Sequence, residues 1–197
     1  VGWLGLLGKR ERAEERERPE EDNPEGGEPQ IGGPQNEGQM TYEKQGRIIC
    51  ALDPGAQPQG PGFVLTIADV TVLVVVDPNA DRMRAMVPVA DVADLTEKEL
   101  VRMMQANFDT ALDARYAIAN NTLWSTYIHP LSPLEKDQFI SGLGQVVNAA
   151  KTYGTLYSGG LMQFNGGDSP GLQRELIDEL LKKGEEIGRD PYRPFWP

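Results

Sequence analysis

The stretch that decides the fold is LTEKELVRMMQANFDTALDARYAI (95–118), joined through ANNT (119–122) to LWSTYIHPLSPLEKDQFISGLGQVVNAAKTYG (123–154). Thr96 stands three residues before Glu99, so hydroxyl and carboxylate can each answer an amide of an opening helical turn, with Leu95 and Leu100 at the staple positions. Leu100, Met103, Met104 and Phe108 then recur at helical spacing and predict one apolar stripe buried against the rest of the protein. Ser132, Pro133 and Glu135 repeat the start signal and predict a second helix, whose apolar face runs from Phe139 to Tyr157 over about six turns. Between the helices, 114–118 and 123–128 are rich in aromatic and β-branched residues. Asn120 and Asn121 separate them and tolerate the positive φ of a tight hairpin, so two antiparallel strands are expected.

Working upstream, 46–52 contains Ile48, Ile49, Ala51 and Leu52 and reads as a first strand. The PGAQPQGPG that follows reads as a loop whose prolines and glycines exclude regular structure. Strands are expected at 63–67, 70–76 and 83–89. The run at 70–76 is almost continuously β-branched, which predicts a central strand covered on both faces. Asp77, Pro78, Asn79 and Ala80 supply turn chemistry, and with Asp81 they lack the further oxygen ligands of a calcium loop.

Apolar residues make up 39% of the 197 residues, below the usual globular share of about 45–50%. The deficit is local, because residues 1–39 are almost all Glu, Arg, Pro, Gly, Gln and Asn and cannot bury enough apolar surface to offset chain entropy. Three regions are therefore expected: an acidic low-complexity arm over 1–39 with a short apolar start, an α+β domain over 40–164, and a C-terminal helix and aromatic tail over 165–197. The net charge of −11 and the lack of a basic, aromatic-bearing patch argue against nucleic acid as a partner.

The arm opens VGWLGLLG before KRER. It is too short to span a bilayer, but Trp3, Leu4, Leu6 and Leu7 ahead of Lys9, Arg10 and Arg12 match the cytoplasmic flank of a longer apolar segment. Membrane proximity through residues 1–8 and a plain apolar arm both remain open. At the other end, Ser169 and Pro170 signal a helix with Leu172, Leu176, Ile177, Leu180, Leu181 and Ile187 along one stripe. Tyr192, Phe195 and Trp196 follow among prolines, either folded back on the core or offered to a neighbour as an anchor.

No catalytic signature is present. The single cysteine, Cys50, and the single histidine, His129, exclude an internal disulfide framework and a zinc-type ligand cluster, and a structural histidine is the simpler reading. No enzyme activity, cofactor or metal site is expected.

The quoted stretch resembles the type III secretion chaperone fold, including the bacterial sensory and regulatory domains that share it. The points of likeness are the helix ending at Asn107, the strand pair, the Pro-Leu-Ser-Pro-Leu entry to the last helix and that helix's small-residue face. The resemblance covers about 60 residues well, and implies a small acidic, non-enzymatic, dimeric protein that binds an extended segment of another protein along its sheet and flanking helices. Family members open with an amphipathic helix before the first strand, which the Gly/Pro/Gln-rich residues here do not predict.

The expected fold is thus α+β, an antiparallel sheet of about five strands packed with helices, type III secretion chaperone-like, with an extended arm and a C-terminal helix and tail. The expected function is a non-catalytic protein-binding module, chaperone-like or docking, acting on another protein as a homodimer or within a hetero-complex. Leu100, Met103, Met104, Tyr192, Phe195 and Trp196 are its candidate partner-binding residues. The alternative is an accessory structural subunit of a larger complex, at a membrane or away from one, with arm and tail threading onto neighbours. The expected location is cytoplasmic, at the membrane face if residues 1–8 reach it.

Overall fold

The structure, a computed structural model, describes residues 38–109, 112–154 and 171–187. They form an α+β protein with a six-stranded antiparallel sheet and four α-helices. In chain order these are α1 (Tyr42–Leu52), β1 (Gln57–Gln59), β2 (Gly62–Ile67), β3 (Val70–Asp77), β4 (Arg82–Asp91), α2 (Glu97–Asp109), β5 (Arg115–Ala119), β6 (Thr122–Pro130), α3 (Lys136–Lys151) and α4 (Gly171–Ile187). The strands lie in the order β1-β2-β3-β4-β6-β5, so β6 passes back inside β5 to pair with β4.

Two expectations are corrected upstream of β2. Residues 46–52 are not a strand but the body of α1. Thr41 caps that helix by accepting from the Lys44 amide at 3.2 Å. Its buried face is Gln45, Ile48, Ile49 and Leu52, a three- and four-residue spacing that the β-branched pair Ile48–Ile49 disguised. An amphipathic helix thus precedes the first strand. The proline-rich loop contains β1, whose Pro58 has no amide to donate and sits where a sheet tolerates it, on an outer edge.

Hairpin turns follow their chemistry. Asn120 and Asn121 take φ of 51° and 61° and close β5 onto β6, as expected. Ala68 and Asp69 take φ of 49° and 64° between β2 and β3, a tight turn with no glycine or asparagine to announce it.

The core lies between one face of the sheet and the helices. Phe63, Leu65, Val72, Val74, Val76, Met83, Ala85 and Val87 alternate inward along β2 to β4 and meet Ile49, Phe139, Ile140, Leu143, Val146 and Val147. Burying each of these larger apolar side chains contributes about 1.5–3 kcal/mol. Glycines let α3 come close: a β-carbon on Gly142 would lie 2.6 Å from the Tyr127 ring of β6, and one on Gly144 would lie 2.8 Å from Ile177 Cγ1 of α4. Lys136 Nζ at the start of α3 donates to the Gly184 carbonyl near the end of α4, so the two helices run antiparallel.

The start of α3 differs from expectation. Its N-cap is Glu135, closed by a capping box with Gln138, one turn later than Ser132 and Pro133 suggested. Ser132 instead ties two loops together, donating its amide to Asp81 Oδ1 at 2.7 Å and its hydroxyl to Oδ2 at 2.9 Å. The helix ends at Lys151, and Tyr157, Ser169 and Pro170 lie outside the described residues, as do the arm with Trp3, Leu4, Leu6 and Leu7 and the tail with Tyr192, Phe195 and Trp196. Among the described residues no helix is long and apolar enough to cross a membrane.

The two Ser132 donors, amide first and hydroxyl second, hold the Asp81 carboxyl below the ordinary aspartate range. The folded state therefore binds this proton less readily than the unfolded chain. The stabilisation is fully present above the ordinary range and is lost as pH falls through the lower folded value. Asp81 has φ of 50°, which asparagine tolerates, so Asp81→Asn removes the charge and one of the two acceptor oxygens without straining the turn. Thermal unfolding should show the wild type above Asp81→Asn at neutral pH with the gap closing in acid; a gap independent of pH would contradict this role.

Candidate protein-docking surface

The capping box that the sequence predicts for α2 is in place. Glu99 Oε2 accepts from the Thr96 amide at 2.8 Å and the Thr96 hydroxyl at 2.7 Å, and the Glu99 amide donates back to Thr96 Oγ1. The amide and hydroxyl of Thr96, in that order, hold the Glu99 carboxyl below its ordinary range. The staple residues Leu95 and Leu100 pack at the margin of a second, smaller core of Met103, Ala106, Tyr116 and Leu123.

That core accounts for only part of α2. The apolar residues from Ala106 through Met103 and Leu100 to Val101 spread over roughly 220° of the helix at 3.6 residues per turn, wider than a single packing face. Met103 and Ala106 point inward and are 2% exposed. Val101 is 52% exposed, Met104 57% and Phe108 90%. The single stripe read from the sequence is therefore two stripes, one anchored and one bare. With Leu100 and Gln105, the bare side chains line a shallow depression of about 490 Å³.

A polar clamp sets the boundary between the two. Asn107 Nδ2 donates to the Tyr116 carbonyl at 3.1 Å and Asn107 Oδ1 accepts from the Tyr116 amide at 2.7 Å. Both backbone groups that Tyr116 turns away from β6 are thus answered by one side chain, and the outer edge of β5 is blunted against a further strand. The Tyr116 hydroxyl reaches across to the Ala149 carbonyl of α3 at 2.5 Å, and its ring meets Tyr153 edge-on at 6.5 Å. The chain between α2 and β5 is held to α3 by Gln145, whose Oε1 accepts from the amides of Asp113 and Ala114.

Five of the six large apolar side chains exposed among the described residues fall between Val101 and Ile118, the sixth being Ile128 on β6. Of the predicted partner-binding residues, Met104 lies on this surface, Leu100 at its margin, and Met103 inside the core where no partner can reach it without opening α2. Val101 was missed; it stands on the same helical face as Met104 and Phe108, a signal that counting spacings from Leu100 alone passes over. Tyr192, Phe195 and Trp196 lie outside the described residues.

The residues considered for chemistry are not brought together in any reactive geometry that the structure records. His129 Nδ1 lies 2.7 Å from the Pro130 carbonyl, and its ring stacks on Tyr127 at 6.0 Å. Cys50 is half-buried on α1. Asp77 caps its own turn, accepting from the amides of Asn79 and Ala80. Among the described residues no three His, Cys, Asp or Glu side chains come together as a metal site.

Compared with protein-family models and with curated proteins, the chain matches none.

Asn107→Ala removes both hydrogen bonds of the clamp and leaves two partly buried backbone groups unanswered. Chemical denaturation should show a loss of about 1–3 kcal/mol. Light scattering should show greater self-association through the uncovered β5 edge; a variant as stable and as monodisperse as the wild type would contradict the clamp.

Proposed function

We propose that this protein is a non-catalytic protein-binding module, chaperone-like or docking, that holds a segment of a partner protein on the outer face of α2. The observation that carries the reading is the bare stripe of Val101, Met104 and Phe108 on a helix whose opposite face is firmly anchored. A partner that covered these side chains would gain about 1.5–3 kcal/mol for each one fully buried. The occupied edge of β5 and the short, proline-bearing β1 argue against strand addition and favour docking through side chains over pairing with the backbone. The element order supports the resemblance to the type III secretion chaperone fold, since an amphipathic helix precedes the strands and a helix, two strands and a long helix follow.

Met104→Glu combined with Phe108→Glu should leave the thermal midpoint within about 2 °C of wild type, because neither side chain supports the core. Native purification followed by mass spectrometry identifies the partner, and titration calorimetry with that partner should show at least a tenfold loss for the double variant, about 1.4 kcal/mol. Met103→Ala should behave in the opposite way, costing about 2–5 kcal/mol of stability through the cavity it leaves. Undiminished binding by the double variant would reject the α2 face as the docking surface.

A further inference from the structure

The β-branched run in β3 predicts cover on both faces of the sheet, but the described helices cover only one. The alternate residues point to the other side. One row across the strands is Leu73, Met86 and Thr126, and the next is Val75, Arg84 and Ile128. In the first row Met86 and Thr126 are themselves buried, at 7% and 9% exposed, whereas Leu73 and Val75 are only partly buried and belong to neither core cluster, and Ile128 is 52% exposed.

This face differs from the rest of the chain in charge. Arg82 and Arg84 on β4 and Arg115 on β5 project from it, all exposed. Strand alternation puts two carboxylates on the same side: Asp77, occupied by the Asn79 and Ala80 amides, and Asp91 at the far end of β4, occupied by the Ala93 amide and Asn121 Nδ2. Arg115 is steadied by donating to the carbonyls of Leu112 and Ala114. Arg82 Nη1 approaches its neighbour's backbone, the Asp81 carbonyl, at 3.4 Å. Arg84 makes no hydrogen bond or ion pair with the described residues. In a protein of net charge −11, a positive face set beside apolar rows asks for an occupant of opposite charge.

We propose that this sheet face binds an extended acidic segment of a partner protein, one that carries carboxylates two residues apart accompanied by apolar side chains. Residues two apart in an extended chain are roughly 6.8 Å apart, so such carboxylates match the spacing of Arg82 and Arg84 along β4. The guanidinium fork suits a carboxylate in two-point contact. Apolar side chains of the segment would rest on Val75 and Ile128, which flank Arg84 in its row; Met86, next along β4, is 7% exposed and out of reach. Each exposed ion pair alone is weak, so affinity depends on the pairs and the apolar contact acting together, and it weakens with salt. The proposal rests on the reading of this chain as a protein-binding module but not on the α2 face.

The test is fluorescence anisotropy on the full chain. The probe is a short labelled synthetic peptide with Glu, Glu, Leu and Phe at alternate positions and Ser between them. Controls replace Glu by Lys, or Leu and Phe by Ser. The acidic apolar peptide should bind, and should weaken several-fold when salt is raised from about 50 mM to about 300 mM. Either control substitution should cost at least about tenfold, as should Arg84→Glu, while Arg84→Lys should stay within about threefold. Met104→Glu with Phe108→Glu should bind the peptide as well as wild type, which separates this face from α2. Failure of the acidic peptide to bind, or equal binding by Arg84→Glu, would overturn the proposal. So would retention of the chain on phosphatidylserine vesicles without peptide binding, which would assign the face to an anionic membrane.

Discussion

Asn107 answers both outward backbone groups of Tyr116, and that pair of hydrogen bonds decides how α2 lies on the edge of the sheet. A helix of apolar residues on so much of its surface could roll to bury several different subsets. The clamp, together with the small core of Met103, Ala106, Tyr116 and Leu123, selects one rotation. In that rotation Val101, Met104 and Phe108 are left outside. The same side chain closes an edge strand that would otherwise be open to pairing, so the means of access to this protein is shifted from backbone to side chain.

The far end of the domain is held differently. There the β3–β4 turn, the segment entering α3 and the chain ahead of α1 meet through Asp81, Ser132 and Met40, with the Met40 amide donating to the Ser132 carbonyl at 3.1 Å. Between the two ends α3 lies close along the inner face because Gly142 admits Tyr127, and α4 closes over it through Gly144 and Ile177. The large inner core is thus built for permanence, whereas α2 and the outer sheet face carry the apolar and cationic groups that have no permanent cover among the described residues. That division is what the proposed protein-binding role requires.

Local signals made the second half of the fold legible. Thr96 and Glu99 and the Asn120–Asn121 turn are self-contained pieces of chemistry that sit where their patterns indicate, and the apolar period of α3 marks a helix, though one that ends at Lys151. Reading failed where two patterns shared the same residues. Ile48 and Ile49 favour strand by type and helix by spacing, and the cap at Thr41 settles the matter for helix. Ser132 has the residues of a cap around it, yet Asp81, fifty-one positions earlier, takes both of its donors, an interaction that sequence spacing does not reveal. The site was half legible for a related reason. Spacing identifies an apolar helix, but which arc is buried depends on Asn107 meeting Tyr116, a tertiary contact.

The central claim, that the arc of α2 left bare by the clamp is where a partner sits, is tested most directly by placing a photoreactive methionine analogue at single positions of the full chain and illuminating it with its partner bound. The account predicts a cross-link to the partner from position 104 and none from position 103, one residue away but turned into the core. Equal cross-linking from both positions, or cross-linking from 103 alone, would contradict it.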